Sequence, residues 1–91
     1  MAALNWTQGA MPELFRLRVN GKAKICIYAD DHMPPHFHLE HPDWDALIDL
    51  KSFKLIEGDA PRREFEEAIK VVKANLAFVL GEWERLNDRD N

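Results

Sequence analysis

All four histidines of this 91-residue chain lie within ten residues, in the segment Asp30-Asp31-His32-Met33-Pro34-Pro35-His36-Phe37-His38-Leu39-Glu40-His41. Imidazole titrates near neutral pH and is a frequent ligand of transition metals. Alternate residues of a β-strand project to the same side, so His36 and His38 could share one ion. His32 or Asp31, from the preceding loop, would then complete three ligands. The spacing therefore predicts a candidate site for a divalent transition metal such as zinc.

The same segment has two other interpretations. In the first, His36 is a general base that a carboxylate, Asp49, orients for catalysis. No serine or threonine lies near the motif to serve as a nucleophile, and Cys26 belongs to a residue type that is more often a small packing group. In the second, an exposed histidine pair hydrogen-bonds Asp49 and Glu40 without doing chemistry. Metal binding, acid–base chemistry and a structural role all remain open at this point.

A β-strand and its hairpin partner must position these histidines. The two prolines remove backbone donors, so the strand is expected to begin only after them. From residue 36 to 40 the apolar side chains alternate inward and the histidines outward. Pairing about a turn at Pro42-Asp43 with a second strand, residues 45–50, sets His36 opposite Asp49 and His38 opposite Leu47.

A hairpin precedes the motif, around Asn20-Gly21. A two-residue loop would mix the polar and apolar faces of its two strands. A three-residue loop keeps the apolar faces together and places Phe15 opposite Ile25, so we predict the odd loop. A short stretch, residues 53–56, is expected to add an edge strand.

One helix is predicted at the end of the chain. Its apolar positions recur at spacings of four and three, at Phe65, Ile69, Val72, Leu76, Val79, Trp83 and Leu86. The helix should run from about Pro61 to Leu86, with a weak point at Gly81. The predicted fold class is α+β: an antiparallel β-meander of four to five strands with one long C-terminal helix packed on one face. Residues 1–10 are expected to be an N-terminal extension and residues 11–91 a single domain.

Two further surfaces are candidates for binding. The side chains of the first hairpin that face away from the helix form a basic patch for phosphate or nucleic acid, made by Arg16, Arg18, Lys22 and Lys24. On the helix, Val71 and Phe78 lie away from the core stripe. This apolar pair should lie outside the sheet's cover, where it either forms a partner interface or packs against the N-terminal extension, for example against Trp6.

Composition limits the functional classes. The net charge of −4 argues against a globally basic nucleic-acid binder, although a local basic patch can still contact RNA. The single cysteine and the lack of a signal peptide predict a cytoplasmic location. The longest apolar run, residues 76–80, is far shorter than the ~20 residues that span a bilayer, so no membrane association is expected. The expected partner is another small protein, a second copy of the chain, or RNA.

The run from Asp31 to His38 resembles the D-H-x-P-P-H-F-H signature of a family of small bacterial proteins classed as a domain of unknown function. Met11-Pro12, the step from Glu57-Gly58 to Pro61-Arg62, and Trp83 extend the resemblance over about residues 11–86. The resemblance implies a place in two-gene, toxin–antitoxin-like modules and assigns no catalytic residue. We therefore expect a protein-binding subunit of such a module. A metal-dependent hydrolase or ribonuclease-like toxin that uses the histidines, and a purely structural motif, are the alternatives.

Overall fold

The computed structural model describes residues 13–29 and 33–87. In chain order the elements are β1 (Glu13–Arg16), β2 (Lys24–Cys26), β3 (His36–His41), β4 (Trp44–Asp49), β5 (Leu55–Gly58), α1 (Arg62–Ala74) and α2 (Leu76–Asn87). The strands form one antiparallel sheet in the order β1-β2-β3-β4-β5. The predicted α+β meander is therefore confirmed. The expected extension, residues 1–10, lies outside the described residues.

The register of the first and central hairpins agrees with the sequence pattern. His36 is opposite Asp49 and His38 is opposite Leu47, about a two-residue turn. In the first hairpin Phe15 is opposite Ile25, as the odd loop predicts. Apolar residues of the central strands consequently share one face of the sheet, which is covered by the helices and is called the helix face below.

The core lies between the helix face and α1 and α2. Its fully buried strand residues include Ile25, Phe37, Leu39 and Ile48, and its helix residues are Ala68, Val72, Val79 and Trp83. Four members of the predicted stripe are only half-buried: Phe65, Ile69, Leu76 and Leu86. The helix pattern therefore identified the right face but misplaced its centre in α1, where the buried line runs through Ala68.

The prediction of one uninterrupted helix is wrong, because the helical segment breaks at Asn75. This residue has φ −124° and ψ 30°, outside the helical range. Its side-chain amide donates to the carbonyl oxygen of Val71 at 2.8 Å, and its backbone N–H donates to that of Val72 at 3.1 Å. Asn75 thus satisfies two carbonyl groups at the end of α1. Gly81, the expected weak point, lies inside α2.

Carboxylates of α1 hold the loop of the first hairpin. The two oxygens of Glu67 accept the backbone N–H groups of Arg18 and Val19 at 2.8 and 2.9 Å. Glu64 is only 5% exposed and accepts the side-chain amide of Asn20 at 3.1 Å. The hydrogen bond from Asn20 is the main cause of the lowered pKa of Glu64. These contacts fix the position of the hairpin relative to α1.

The last strand begins later than expected. β5 starts at Leu55, whereas Phe53 lies in the preceding turn with φ 59°. Gly58 ends the strand with φ 79°, and a β-carbon there would collide with the carbonyl oxygen of Asp45. The adjacent Asp59 N–H donates to that same oxygen at 2.9 Å. Glycine is therefore required at the point where β5 leaves the sheet.

Neither helix in the described part of the chain has the length and apolar character needed to cross a bilayer.

Candidate functional site

A double-proline corner delivers His36 to the start of β3. The Met33–Pro34 peptide bond is cis, and the Pro35 carbonyl accepts the N–H of Leu50 at 2.9 Å. The Nδ1 atom of His36 lies 2.8 Å from the carbonyl oxygen of Pro34. Because a carbonyl oxygen can only accept, Nδ1 of His36 carries the proton of this hydrogen bond. The corner therefore fixes the orientation of His36 and places a proton on Nδ1.

His36 and His38 are neighbours, as predicted, but His36 is not exposed. The centroids of the His36 and His38 rings are 5.2 Å apart. The His36 ring also packs against the ring of Trp83, at a centroid distance of 5.1 Å. His36 is 5% exposed and His38 is half-buried. The expectation that both rings emerge on an uncovered face is wrong for His36, because the end of α2 reaches this end of the sheet. A ligand would have to displace the indole of Trp83 to reach it from that side.

Asp49 lies opposite His36 but its carboxylate stabilises a turn. One oxygen, Oδ1, accepts the backbone N–H groups of Lys51 and Ser52 at 2.6 and 2.9 Å. These bonds, with that from Ser52 the larger cause, lower the pKa of Asp49. Since the Nδ1 proton of His36 goes to Pro34, the expected orientation of His36 by Asp49 is not observed. The backbone register of His36 and Asp49 was predicted correctly, whereas the predicted hydrogen bond between their side chains is not present.

Two of the four candidate metal ligands, Asp31 and His32, lie outside the described residues. Within residues 13–29 and 33–87, no three His, Cys, Asp or Glu side chains are placed to hold one metal ion. His36 and His38 supply two adjacent imidazoles. Metal-binding histidines commonly donate the N–H of the other ring nitrogen to a backbone carbonyl, as His36 does here. The metal site therefore stays a prediction that involves the segment before Met33.

The structure shows a polar cluster on the sheet face away from the helices, made by Cys26, Tyr28, His38 and Glu40. The Tyr28 hydroxyl donates to Glu40 Oε2 at 2.5 Å, and the Cys26 thiol donates to Glu40 Oε1 at 3.7 Å. The Tyr28 and His38 rings meet edge to face, with centroids 4.6 Å apart. Sequence alternation places all four residues on that face, but the cluster was not predicted as a unit.

The Cys26 thiol and the Tyr28 hydroxyl of the polar cluster both stay protonated at neutral pH. Burial, followed by the negative charge of Glu40, raises the pKa of Cys26 to about 12. Burial and the hydrogen bond to Glu40 also raise the pKa of Tyr28. A protonated thiol is a poor nucleophile. At neutral pH the cluster therefore stabilises the sheet and offers no activated nucleophile.

A groove of about 530 Å³ lies along the first hairpin, and its lining is Arg16, Lys22, Lys24, Glu40, His41 and Pro42. We call this surface the basic groove. It contains three of the four cations predicted as an anion patch. Arg18 is not part of the lining, and its backbone N–H is bound to Glu67.

The cations of the basic groove differ in their availability. Arg16 donates to both carboxylate oxygens of Glu13, at 2.8 and 3.1 Å, and to the carbonyl oxygen of Gly21 at 2.9 Å. Among the residues that the structure describes, Lys22 and Lys24 form no ion pair. The groove therefore presents two available ammonium groups next to the carboxylate of Glu40.

The expected helix interface is exposed at one of its two positions. Phe78 is 52% exposed and meets Phe15 of β1 edge to face, with centroids 6.1 Å apart. Val71 is half-buried and packs against the core. Of the expected pair only Phe78 is thus an exposed apolar side chain, and it packs on Phe15 where β1 meets α2.

A family model described as "Domain of unknown function (DUF4160)" matches residues 23–84, which is more than half of the chain. The chain belongs to the DUF4160 family. No curated protein and no solved structure matches it. The part of this DUF4160 domain that the model matches contains the double-proline corner, the polar cluster and Trp83. It excludes β1 and Lys22, and with them two of the three cations of the basic groove.

Proposed function

We propose that this DUF4160 domain is a protein-binding module, one subunit of a two-protein, toxin–antitoxin-like pair. Its reactive groups are engaged within the fold. His36 is packed against Trp83 and bonded to the Pro34 carbonyl, and the Cys26 thiol is protonated beside Glu40. An enzyme needs an accessible acid or base at a concave site. In this proposal the histidine motif connects the proline corner to α2 and carries out no chemistry.

The basic groove is the observation that carries the proposal. Lys22 and Lys24 gain from an anionic partner, because neither forms an ion pair with a carboxylate of the described residues. Glu40 lines the same groove and would repel each phosphate of an RNA strand. The net charge of −4 adds to that repulsion. A protein segment with acidic side chains, whose donors can face Glu40, fits this mixture of charges better than RNA does.

The test is a binding measurement with the protein that the adjacent gene encodes, which this proposal takes to be the second subunit of the pair. The two proteins are coexpressed, separated and titrated by calorimetry. The double variant Lys22→Glu, Lys24→Glu is expected to weaken binding by about tenfold or more, since it replaces two attractions by repulsions. Added salt should weaken the parent complex in the same direction.

The matched control carries the same change of charge elsewhere, at the exposed residues Lys51 and Lys70. The double variant Lys51→Glu, Lys70→Glu should bind like the parent. Equal losses in the two double variants would reject the groove as the binding site. A single-stranded RNA that binds the parent more tightly than the neighbouring protein does would favour the RNA alternative.

A metal-dependent enzyme is the second candidate, and the adjacent rings of His36 and His38 are the observation that favours it. Protein purified without chelator or nickel resin is analysed for zinc by mass spectrometry and titrated with zinc chloride. One zinc ion per chain, lost in His38→Ala while the fold is retained, would support this candidate. The binding-module proposal expects no stoichiometric zinc.

A further inference from the structure

The outer edge of β5 is an unpartnered strand. Every residue of Leu55–Gly58 is exposed, and within the described part of the chain β5 pairs only with β4. Leu55 and Ile56 are 43% and 44% exposed, which makes them two of the few large apolar residues on the surface. An apolar edge strand with free backbone groups is a template for a strand from another molecule.

The two sides of β5 differ in chemistry. Leu55 is opposite Ile48 and therefore lies on the helix face, where it lines an apolar depression of about 260 Å³ with Phe65. Glu57 is opposite Leu47 and lies on the other face. An extra residue in β5, Ile56, is accommodated by a bulge between these two pairs.

The charges along this edge change sign from one end to the other. Lys51 and Lys54 precede the apolar pair, and Glu57 and Asp59 follow it. A second copy of the strand in antiparallel orientation reverses this order, so it brings acidic residues to the basic end and basic residues to the acidic end. Of the partners that an edge strand can accept, a second copy is therefore the one that these charges match.

We propose that two copies of this chain pair through β5 about a two-fold axis near Leu55 and Ile56. The axis is perpendicular to the sheet, because only that rotation makes adjacent identical strands antiparallel and keeps them in one sheet. The product is a ten-stranded sheet with all four helices on one face. Lys54 of each copy then lies near Glu57 of the second copy, and the two apolar depressions at Leu55 and Phe65 close against each other.

This interface goes beyond the proposed function and is separate from it. The basic groove lies at β1 and β2, and β5 is the opposite end of the strand order. A dimer built through β5 therefore leaves both grooves accessible. It presents them at the two ends of the ten-stranded sheet, so one dimer would bind two partner molecules.

The experiment uses sedimentation equilibrium of the full chain and two charge reversals. Lys54→Glu and Glu57→Lys each replace both symmetric attractions by repulsions. The dimer dissociation constant of each variant alone should therefore be at least about tenfold higher than that of the parent. Mixing the two variants restores opposite charges at both contacts of a heterodimer. The mixture should therefore dimerise about as tightly as the parent. Circular dichroism of each variant checks that it is folded.

Three results would overturn the proposal. One is a parent chain that stays monomeric up to millimolar concentration. Another is a dimer that neither reversal weakens, which would place the contact elsewhere. The third is a mixture of folded variants that stays monomeric. Binding of the neighbouring protein by a monomeric Lys54→Glu chain would leave the proposed function standing, so the two proposals can fail separately. A Lys70→Glu chain is the control and should dimerise like the parent.

Discussion

Replacing Gly58 by alanine tests how β5 is attached to the sheet. Gly58 has φ 79°, in the left-handed region, where a non-glycine residue costs about 1–2 kcal/mol. The added β-carbon would also overlap the Asp45 carbonyl oxygen and lie 3.1 Å from the Ala46 Cα. Relief of that overlap moves β5 away from β4 and weakens the 2.9 Å bond from Asp59 to Asp45, worth about 1 kcal/mol.

The two costs add to about 2–3 kcal/mol. The lower entropy of the unfolded alanine variant returns less than about 1 kcal/mol. We therefore expect Gly58→Ala to lower the free energy of unfolding by about 2 kcal/mol. This is a large fraction of the ~5–13 kcal/mol typical of a domain of this length. Urea unfolding followed by far-ultraviolet circular dichroism, with linear extrapolation, measures the change.

Gly81→Ala is the matched control. Gly81 lies inside α2 without a positive φ, and nothing lies within 4 Å of the β-carbon it would gain. The same substitution there should raise the free energy of unfolding by about 0.5–1 kcal/mol, because alanine favours the helix. The reasoning fails if Gly58→Ala is as stable as the parent, or if the two variants change stability in the same direction.

Four other perturbations have outcomes that follow from the structure. His36→Ala should lower the free energy of unfolding by about 2–4 kcal/mol in urea unfolding, because it removes a buried ring packed on Trp83; a change below about 1 kcal/mol would contradict that burial. Iodoacetamide should alkylate Cys26 far more slowly in the native protein than in urea at about pH 8. The pKa of the Cys26 thiol is about 12 in the folded protein, against the usual 9.0. The contribution of this thiol to the free energy of unfolding is therefore complete below pH 9.0 and is lost as the pH rises toward 12. Cys26→Ala should flatten that alkaline loss of stability. Glu67→Ala should lower the free energy of unfolding by about 1–3 kcal/mol, because it removes both hydrogen bonds to the first hairpin. Glu66→Ala, which removes only an exposed ion pair, should leave the melting temperature nearly unchanged. Equal melting temperatures for the two variants would refute the anchoring role of Glu67.

The strand pairing was predictable because side-chain alternation has a period of two. A slip of one residue would have exposed the apolar face, so the pattern alone placed His36 opposite Asp49 and Phe15 opposite Ile25. The start of β5 was placed two residues early. A positive φ at Phe53 ends the alternation there, and nothing in a phenylalanine signals that conformation.

The errors concern contacts between residues distant in sequence or choices of a single side chain. The apolar stripe continues through Asn75, so periodicity could not show that this amide bonds to Val71 and ends α1. Glu64 was not expected to be buried, because its partner Asn20 lies 44 positions earlier. The burial of His36 likewise depends on the arrival of Trp83 from the far end of the chain.

The break at Asn75 divides the helical layer into segments of 13 and 12 residues. Isolated helices of this length are marginal in water, so each segment owes its order to the sheet beneath it. The second segment can consequently detach as one cooperative unit without unravelling the first. Amide hydrogen exchange would register it as a group of protons with a common opening free energy, and each such opening would briefly bare the imidazole at the sheet's end to solvent.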